Sequence, residues 1–197
     1  MNLDFYFPTP VWWEDTNVDN APLKDLTNRL REEDPKGRQI SNNGGWQSKD
    51  FKSDTYHELK ELTDVILEKS SQCIRDYGYY QDTYRLEMLN MWINVNSNGN
   101  SNQIHTHAGS FISGTYYIQA VKGHSEIVFY KNMSEDHIIA SAGDIERYTP
   151  ISGATCRYPP KSGRLIMFPS YVPHGVLPST IDEERISIAF NMRMTHV

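Results

Sequence analysis

The chain has 197 residues, 38% of them hydrophobic and 12% aromatic, which is enough for one domain with a buried core. A formal charge of -6 provides no basic face for phosphate backbones and excludes indiscriminate nucleic-acid binding. Cys73 and Cys156 are too few for a disulfide framework, no apolar run reaches membrane-spanning length, and no charged stretch followed by an apolar one opens the chain. The expectation is a soluble, cytoplasmic protein without a membrane partner.

In chain order, Leu3 to Trp13 alternates Phe5, Phe7, Val11 and Trp13 through two prolines, which predicts an edge strand. A short helix follows, with Asn20 as cap, Pro22 in its first turn and a stripe of Leu23, Leu26 and Leu30 that ends before Pro35. The Asn- and Gly-rich stretch from Ser41 to Trp46 is a loop. A longer helix opens on the capping box Thr55-Tyr56-His57-Glu58, carries Leu59, Leu62, Ile66, Cys73 and Tyr77 on one face, and stops at Gly78.

From residue 84 the period changes to two. Leu89, Met91, Ile93 and Val95 are apolar, while Asn90, Trp92, Asn94 and Asn96 stand between them, so one face suits the helices and the other a polar pocket. Further strands are expected at Phe111 to Val121, Glu126 to Tyr130, Arg164 to Phe168 and Arg185 to Met194. Lys131 to Ser162 shows little periodicity; an excursion of this length points either to a lid, with Tyr148, Arg157 and Tyr158 able to close over a substrate, or to a flexible solvated loop. Residues 1-197 are read as a single domain, in which 1-83 supply a strand and supporting helices and 84-197 the β core. Short strands with helices covering one sheet argue a mainly β (α+β) jelly-roll-type sandwich or barrel.

The chemistry is concentrated in His105-Thr106-His107, His174 and Arg185-Ile186-Ser187. Side chains at i and i+2 of a strand share a face, so His105 and His107 can converge on one metal ion. With seven histidines in the chain a His-x-His pair arises by chance in roughly one sequence in four, so the pair alone is a weak signal. A third imidazole from the distant His174 gives three protein ligands and open positions, as a catalytic metal requires. Arg185 and Ser187 share a strand face opposite Ile186, Ile188 and Phe190; a buried guanidinium there needs a partner, and its planar fork matches a carboxylate. His57, His124, His137 and His196 have no partners at metal spacing and are read as surface residues.

The residues Trp92-x-Asn94, Asn102-x-x-His105-x-His107, Ser113-Gly114-x-Tyr116-Tyr117, Gly163-x-Leu165-x-x-Phe168-Pro169, His174 and Arg185-x-Ser187 together resemble the Fe(II)/2-oxoglutarate-dependent oxygenases, in the branch near prolyl 4-hydroxylases. The resemblance covers residues 84 to 194. Weaker echoes, Phe7-Pro8-Thr9-Pro10-Val11 and Gly45-Trp46-Gln47-Ser48, are similar to the N-terminal part of a bacterial and phage subfamily.

The resemblance implies a double-stranded β-helix of the jelly-roll or cupin kind with the N-terminal helices packed on one sheet. It implies Fe(II) as cofactor and 2-oxoglutarate as co-substrate, the latter gripped by Arg185 with Ser187, Tyr117, Asn94 and, more distantly, Asn191. His105 and His174 match the family's two histidines, and His107 stands where the family carries a carboxylate. Three readings of that departure are open: His107 is a third ligand, the site keeps two histidines and an open position as in halogenating relatives, or Glu126 supplies a carboxylate. The metal set adopted is His105, His107 and His174. The implied reaction is hydroxylation of an unactivated C-H bond, on a prolyl or other protein side chain or on a small molecule, with release of succinate and CO2. Oligomeric state is left open between monomer and homodimer. Two further readings stand on the residues alone. One is a three-histidine cupin-type dioxygenase that does not use 2-oxoglutarate, against which Arg185 on the pocket face speaks. The other is a non-catalytic jelly-roll binding module.

Overall fold

The computed structural model describes residues 1-5, 7-131, 146-147, 149 and 152-197. In chain order the elements are β1 (Trp12–Asp15), α1 (Asn20–Glu33), β2 (Asn42–Asn43), β3 (Trp46–Gln47), a 3-10 turn (His57–Leu59) running into α2 (Lys60–Asp76), β4 (Tyr84–Asn96), β5 (Ser101–His105), β6 (Ile112–Gln119), β7 (Ile127–Tyr130), β8 (Thr155–Tyr158), β9 (Arg164–Pro169), β10 (His174–Val176) and β11 (Arg185–His196). The strands form two antiparallel sheets, a six-stranded one in the order β1-β9-β6-β11-β4-β3 and a five-stranded one in the order β2-β5-β10-β7-β8. This is a double-stranded β-helix with two helices on the larger sheet. No helix among the described residues is long and apolar enough to cross a membrane.

The period-2 pattern explains both faces of the larger sheet. Met91, Ile93 and Val95 of β4 and Ile186, Ile188, Phe190 and Met192 of β11 are buried with Leu23, Leu26, Leu59, Leu62 and Ile66 of the helical layer in one cluster. Each such side chain contributes about 1.5 to 3 kcal/mol by leaving water. A bulge keeps the strands in phase: Asn191 pairs with Asn90 but Met192 pairs with Met88, leaving Leu89 unpaired. N-terminal to it the even positions Leu86 and Met88 pack on the helices; beyond it the odd positions do. The side-chain ammonium of Lys52 donates to the Leu89 carbonyl at 3.0 Å. A second cluster, Tyr117, Ile127, Phe129, Ile166, Phe168 and Val172, lies between the sheets.

Several local expectations are corrected. The first strand begins at Trp12, because Pro8 and Pro10 have no N–H to donate and Phe7 takes a positive φ of 56° that interrupts an extended run. It does sit at the edge of its sheet. Asp19, rather than Asn20, caps α1 by accepting from the Ala21 N–H, while the Asn20 side chain accepts from the Tyr116 hydroxyl at 2.8 Å. The Thr55 capping box does not form: the Thr55 hydroxyl accepts from the Lys52 N–H, and Glu58 turns to Arg29 of α1 at 2.8 Å. Helix α2 therefore starts through the 3-10 turn with no side-chain cap. It ends as expected, with Gly78 at φ 77°, Gly78 N–H donating to Arg75 O and Tyr79 N–H to Ile74 O, a Schellman motif. Tyr77 stays exposed. Of the proposed lid, Tyr148 and most of the preceding segment lie outside the described residues, whereas Arg157 and Tyr158 belong to β8, paired with β7.

Candidate metal and co-substrate site

Register brings the histidines together. His105, at the end of β5, lies directly opposite His174, at the start of β10, and His107 follows two residues on. The ligand nitrogens of His105, His107 and His174 lie within 4.8 Å of one another. His107 Nε2 is 3.2 Å from His174 Nε2; two nitrogens bound cis to one first-row metal at about 2.1 Å would be about 3 Å apart, so the spacing fits an ion between them.

The ring tautomers follow from the partners. His105 Nδ1 meets Gln103 O at 2.7 Å and His174 Nδ1 meets Val172 O at 2.9 Å. A carbonyl only accepts, so both Nδ1 atoms carry a proton, and in the neutral ring the lone pair available to a metal is on Nε2. Burial, followed by the neighbouring His105, pushes the His107 imidazole down to about 4. Burial also pushes His174 down to about 3, so both rings are neutral near pH 7.

Among the described residues the group that could hold a metal is His105, His107 and His174, and neither Glu126 nor another carboxylate belongs to it. His124, expected at the surface, is instead buried, with Nδ1 accepting from Val121 N–H and Nε2 donating to Glu183 O. His57 and His196 are exposed, and His137 lies outside the described residues.

The pocket between the sheets is lined by the three histidines together with Trp92, Asn94, Thr115, Tyr117, Arg185 and Ser187. Asn94 pairs with Ser187, and Ser187 with Tyr117, so these three stand side by side across β4, β11 and β6. Arg185 is 4% exposed, and its Nη1 donates to Ser125 O at 2.9 Å. Its guanidinium lies 5.9 Å from the centre of the Tyr117 ring. Its Nε has no partner, nor does the Asn94 Oδ1, and no described carboxylate pairs with Arg185. Burial lowers the Arg185 pKa and raises that of Tyr117. An unpaired buried guanidinium costs several kcal/mol, which an incoming acid would offset. The orphaned donor and the three lone-pair imidazoles fit an iron and a dicarboxylate.

Asn191 has a different place from the one expected. It is not among the pocket-lining residues, and both ends of its amide are engaged, by Ser113 and by Asn90. Thr115 was passed over in the sequence and Ser113 was given no role beyond its motif, although Ser113, Thr115 and Tyr117 alternate along β6 and that period was the available signal. Gly114 between them is required, since a Cβ there would collide with the Phe190 ring.

A family model described as "Putative 2OG-Fe(II) oxygenase" matches residues 90–191. The chain belongs to this family, and it is a non-haem dioxygenase that depends on Fe(II) and 2-oxoglutarate. That sets aside the binding-module reading and the dioxygenase that needs no 2-oxoglutarate. No curated protein matches the sequence significantly. Among solved structures, a Pseudomonas putida prolyl-4-hydroxylase is similar at a TM-score of 0.62 and 13% identity, over 94% of this chain and 92% of that one. The viral collagen prolyl hydroxylase of Paramecium Bursaria Chlorella virus-1, in a 2OG complex, is similar at 0.55 and 15%, over 93% and 96%. The non-heme alpha-ketoglutarate-dependent carbocyclase of nogalamycin biosynthesis is similar at 0.65 and 12%, over 98% and 83%. At these identities the likeness shows the fold.

Proposed function

We propose that His105, His107 and His174 hold the iron, and that Arg185 takes the distal carboxylate of 2-oxoglutarate with help from Ser187 and Tyr117. Asn94 faces the same space with an unpartnered acceptor. The observation that carries this reading is Arg185: a buried guanidinium without a carboxylate among the described residues, in the same pocket as three converging imidazoles. When bound, the iron supplies the oxidative chemistry that couples decarboxylation of the co-substrate to oxidation of a C–H bond. The chain's own residues bind and orient. Arg185 fixes one end of the diacid, the backbone clamps on Nδ1 of His105 and His174 turn Nε2 of each ring toward the metal, and the walls of Trp92, Phe168 and Tyr117 keep water from the reacting centre.

The primary substrate in this reading is a protein side chain, with prolyl first, supported by the fold shared with two prolyl hydroxylases. The free thiols of Cys73 and Cys156 suit the reducing cytoplasm. Exposed Trp13 on the edge strand β1, and the exposed Leu3 and Phe5 before it, suit a homodimer, which sedimentation would test.

Arg185→Leu tests the reading directly. Truncating one side of a buried charged contact costs about 2 to 5 kcal/mol, so 2-oxoglutarate affinity should fall at least about thirtyfold in the Mn(II)-loaded protein while the metal stays bound. Unchanged affinity in calorimetry would remove Arg185 from the site. Succinate release with proline-containing peptides, against 2-oxoglutarate alone, tests the substrate class.

A further inference from the structure

The three histidines are not held alike. His105 and His174 each have a ring nitrogen clamped to a backbone carbonyl, at 2.7 and 2.9 Å. His107 lies beyond the end of β5, and its ring Nε2 is 3.2 Å from Nε2 of His174, the neighbour with which it would share an ion, rather than clamped to a carbonyl. Its backbone is tied instead: the His107 N–H donates to Ser170 O at 2.9 Å.

Ser170 is the end of a continuous chain of hydrogen bonds that is buried from Ser170 through Ser113 to Asn191 and reaches the surface at Asp50. Its hydroxyl meets that of Ser113 at 2.8 Å, and Ser113 Oγ donates to Asn191 Oδ1 at 2.7 Å. Asn191 Nδ2 donates to Asn90 Oδ1 at 3.0 Å, and Asn90 Nδ2 to Asp50 Oδ2 at 2.9 Å. Asp50 is held in turn by Arg38 at 3.0 Å. The ladder is built by register, since Asn191 of β11 stands directly between Ser113 of β6 and Asn90 of β4. Ser113 and Ser170 are each 1% exposed and Asn191 is 8% exposed, so breaking one link strands buried polar atoms.

We propose that this chain, Asp50–Asn90–Asn191–Ser113–Ser170, is the device that positions His107, with Ser113 and Asn191 as positioning residues for the third metal ligand. It replaces the ring clamp that the other two histidines possess. The inference rests on the reading of His107 as a ligand.

Binding of Co(II) alone, followed by competition titration and by its visible ligand-field bands, tests it in the full chain. His107→Ala is measured first and should weaken Co(II) and change the bands; if it does neither, His107 is not a ligand and the proposal falls with that assignment. Ser113→Ala, which removes one hydroxyl, should then weaken Co(II) roughly tenfold and shift the bands in the parent. In the His107→Ala background it should add nothing, because its effect passes through His107. Asn191→Ala should repeat the pattern, and Ser113→Ala carries the test alone if that variant does not fold. An equal loss of affinity in both backgrounds would mean a general effect on the fold and would overturn the proposal, as would an unchanged affinity in the parent.

Discussion

The two faces of β11 both carry buried residues and are satisfied in opposite ways. Outward, Ile186, Ile188, Phe190 and Met192 are buried in the cluster that the helices cover. Inward, Arg185, Ser187 and Asn191 are between 4% and 8% exposed, and they are polar or charged. Burial therefore does not separate a core from a site. What separates them is how polar groups are satisfied: Asn191 has partners at both ends of its amide, whereas the Arg185 Nε and the Asn94 Oδ1 have none among the described residues. Groups left unpartnered at a cost of several kcal/mol mark where a ligand is to be received, and groups fully partnered mark what holds the site in shape.

The contrast can be broken from either side. On the inner face the largest effect is expected for His174→Ala, which removes one of three ligands and should weaken Co(II) or Fe(II) binding at least about a hundredfold by titration. Full metal occupancy at stoichiometric concentration would show that the cluster is not the metal site. On the outer face Phe190→Ala should destabilise the fold by about 3 to 5 kcal/mol in denaturant unfolding, with the metal still bound by the molecules that remain folded. Metal loss without destabilisation would erase the distinction between the faces.

Arg185→Leu sharpens the comparison in the absence of 2-oxoglutarate. Replacing an unpaired buried charge by a hydrocarbon should leave stability unchanged or raise it by about 1 to 4 kcal/mol. A loss of more than about 2 kcal/mol would make Arg185 part of the scaffold rather than of a receptor. The smallest effect belongs to a residue on neither face. Asp15, partly exposed at the end of β1, has its carboxyl held near 2 by hydrogen bonds from Arg164 and Lys161 against an ordinary 3.8. A depressed carboxyl contributes above its ordinary value and loses that contribution as pH falls through about 2. Asp15→Asn should therefore cost less than about 1 kcal/mol at pH 6, and the difference from the parent should vanish near pH 2.

Local chemistry made much of this protein legible in advance. The alternation Met91, Ile93, Val95 against Asn90, Asn94, Asn96 determines which side of β4 meets the helices, because successive strand residues point to opposite faces wherever the strand is placed. The same rule puts Arg185 and Ser187 opposite Ile186, and the leucine stripes settle the covered faces of both helices. Where the pattern misled, a non-local contact had intervened. The Thr55 box was displaced by Arg29 and Lys52, the cap moved to Asp19 while Asn20 turned to Tyr116, and His124 was drawn inward by the carbonyl of Glu183. Only the tertiary structure decided that His174 stands opposite His105, that Arg185 finds no carboxylate among the described residues, and that Asn191 is tied to Ser113 and Asn90 rather than free for a ligand. These are facts of strand register and of hydrogen-bond satisfaction across segments far apart in the chain, and neither is written in the order of neighbouring residues.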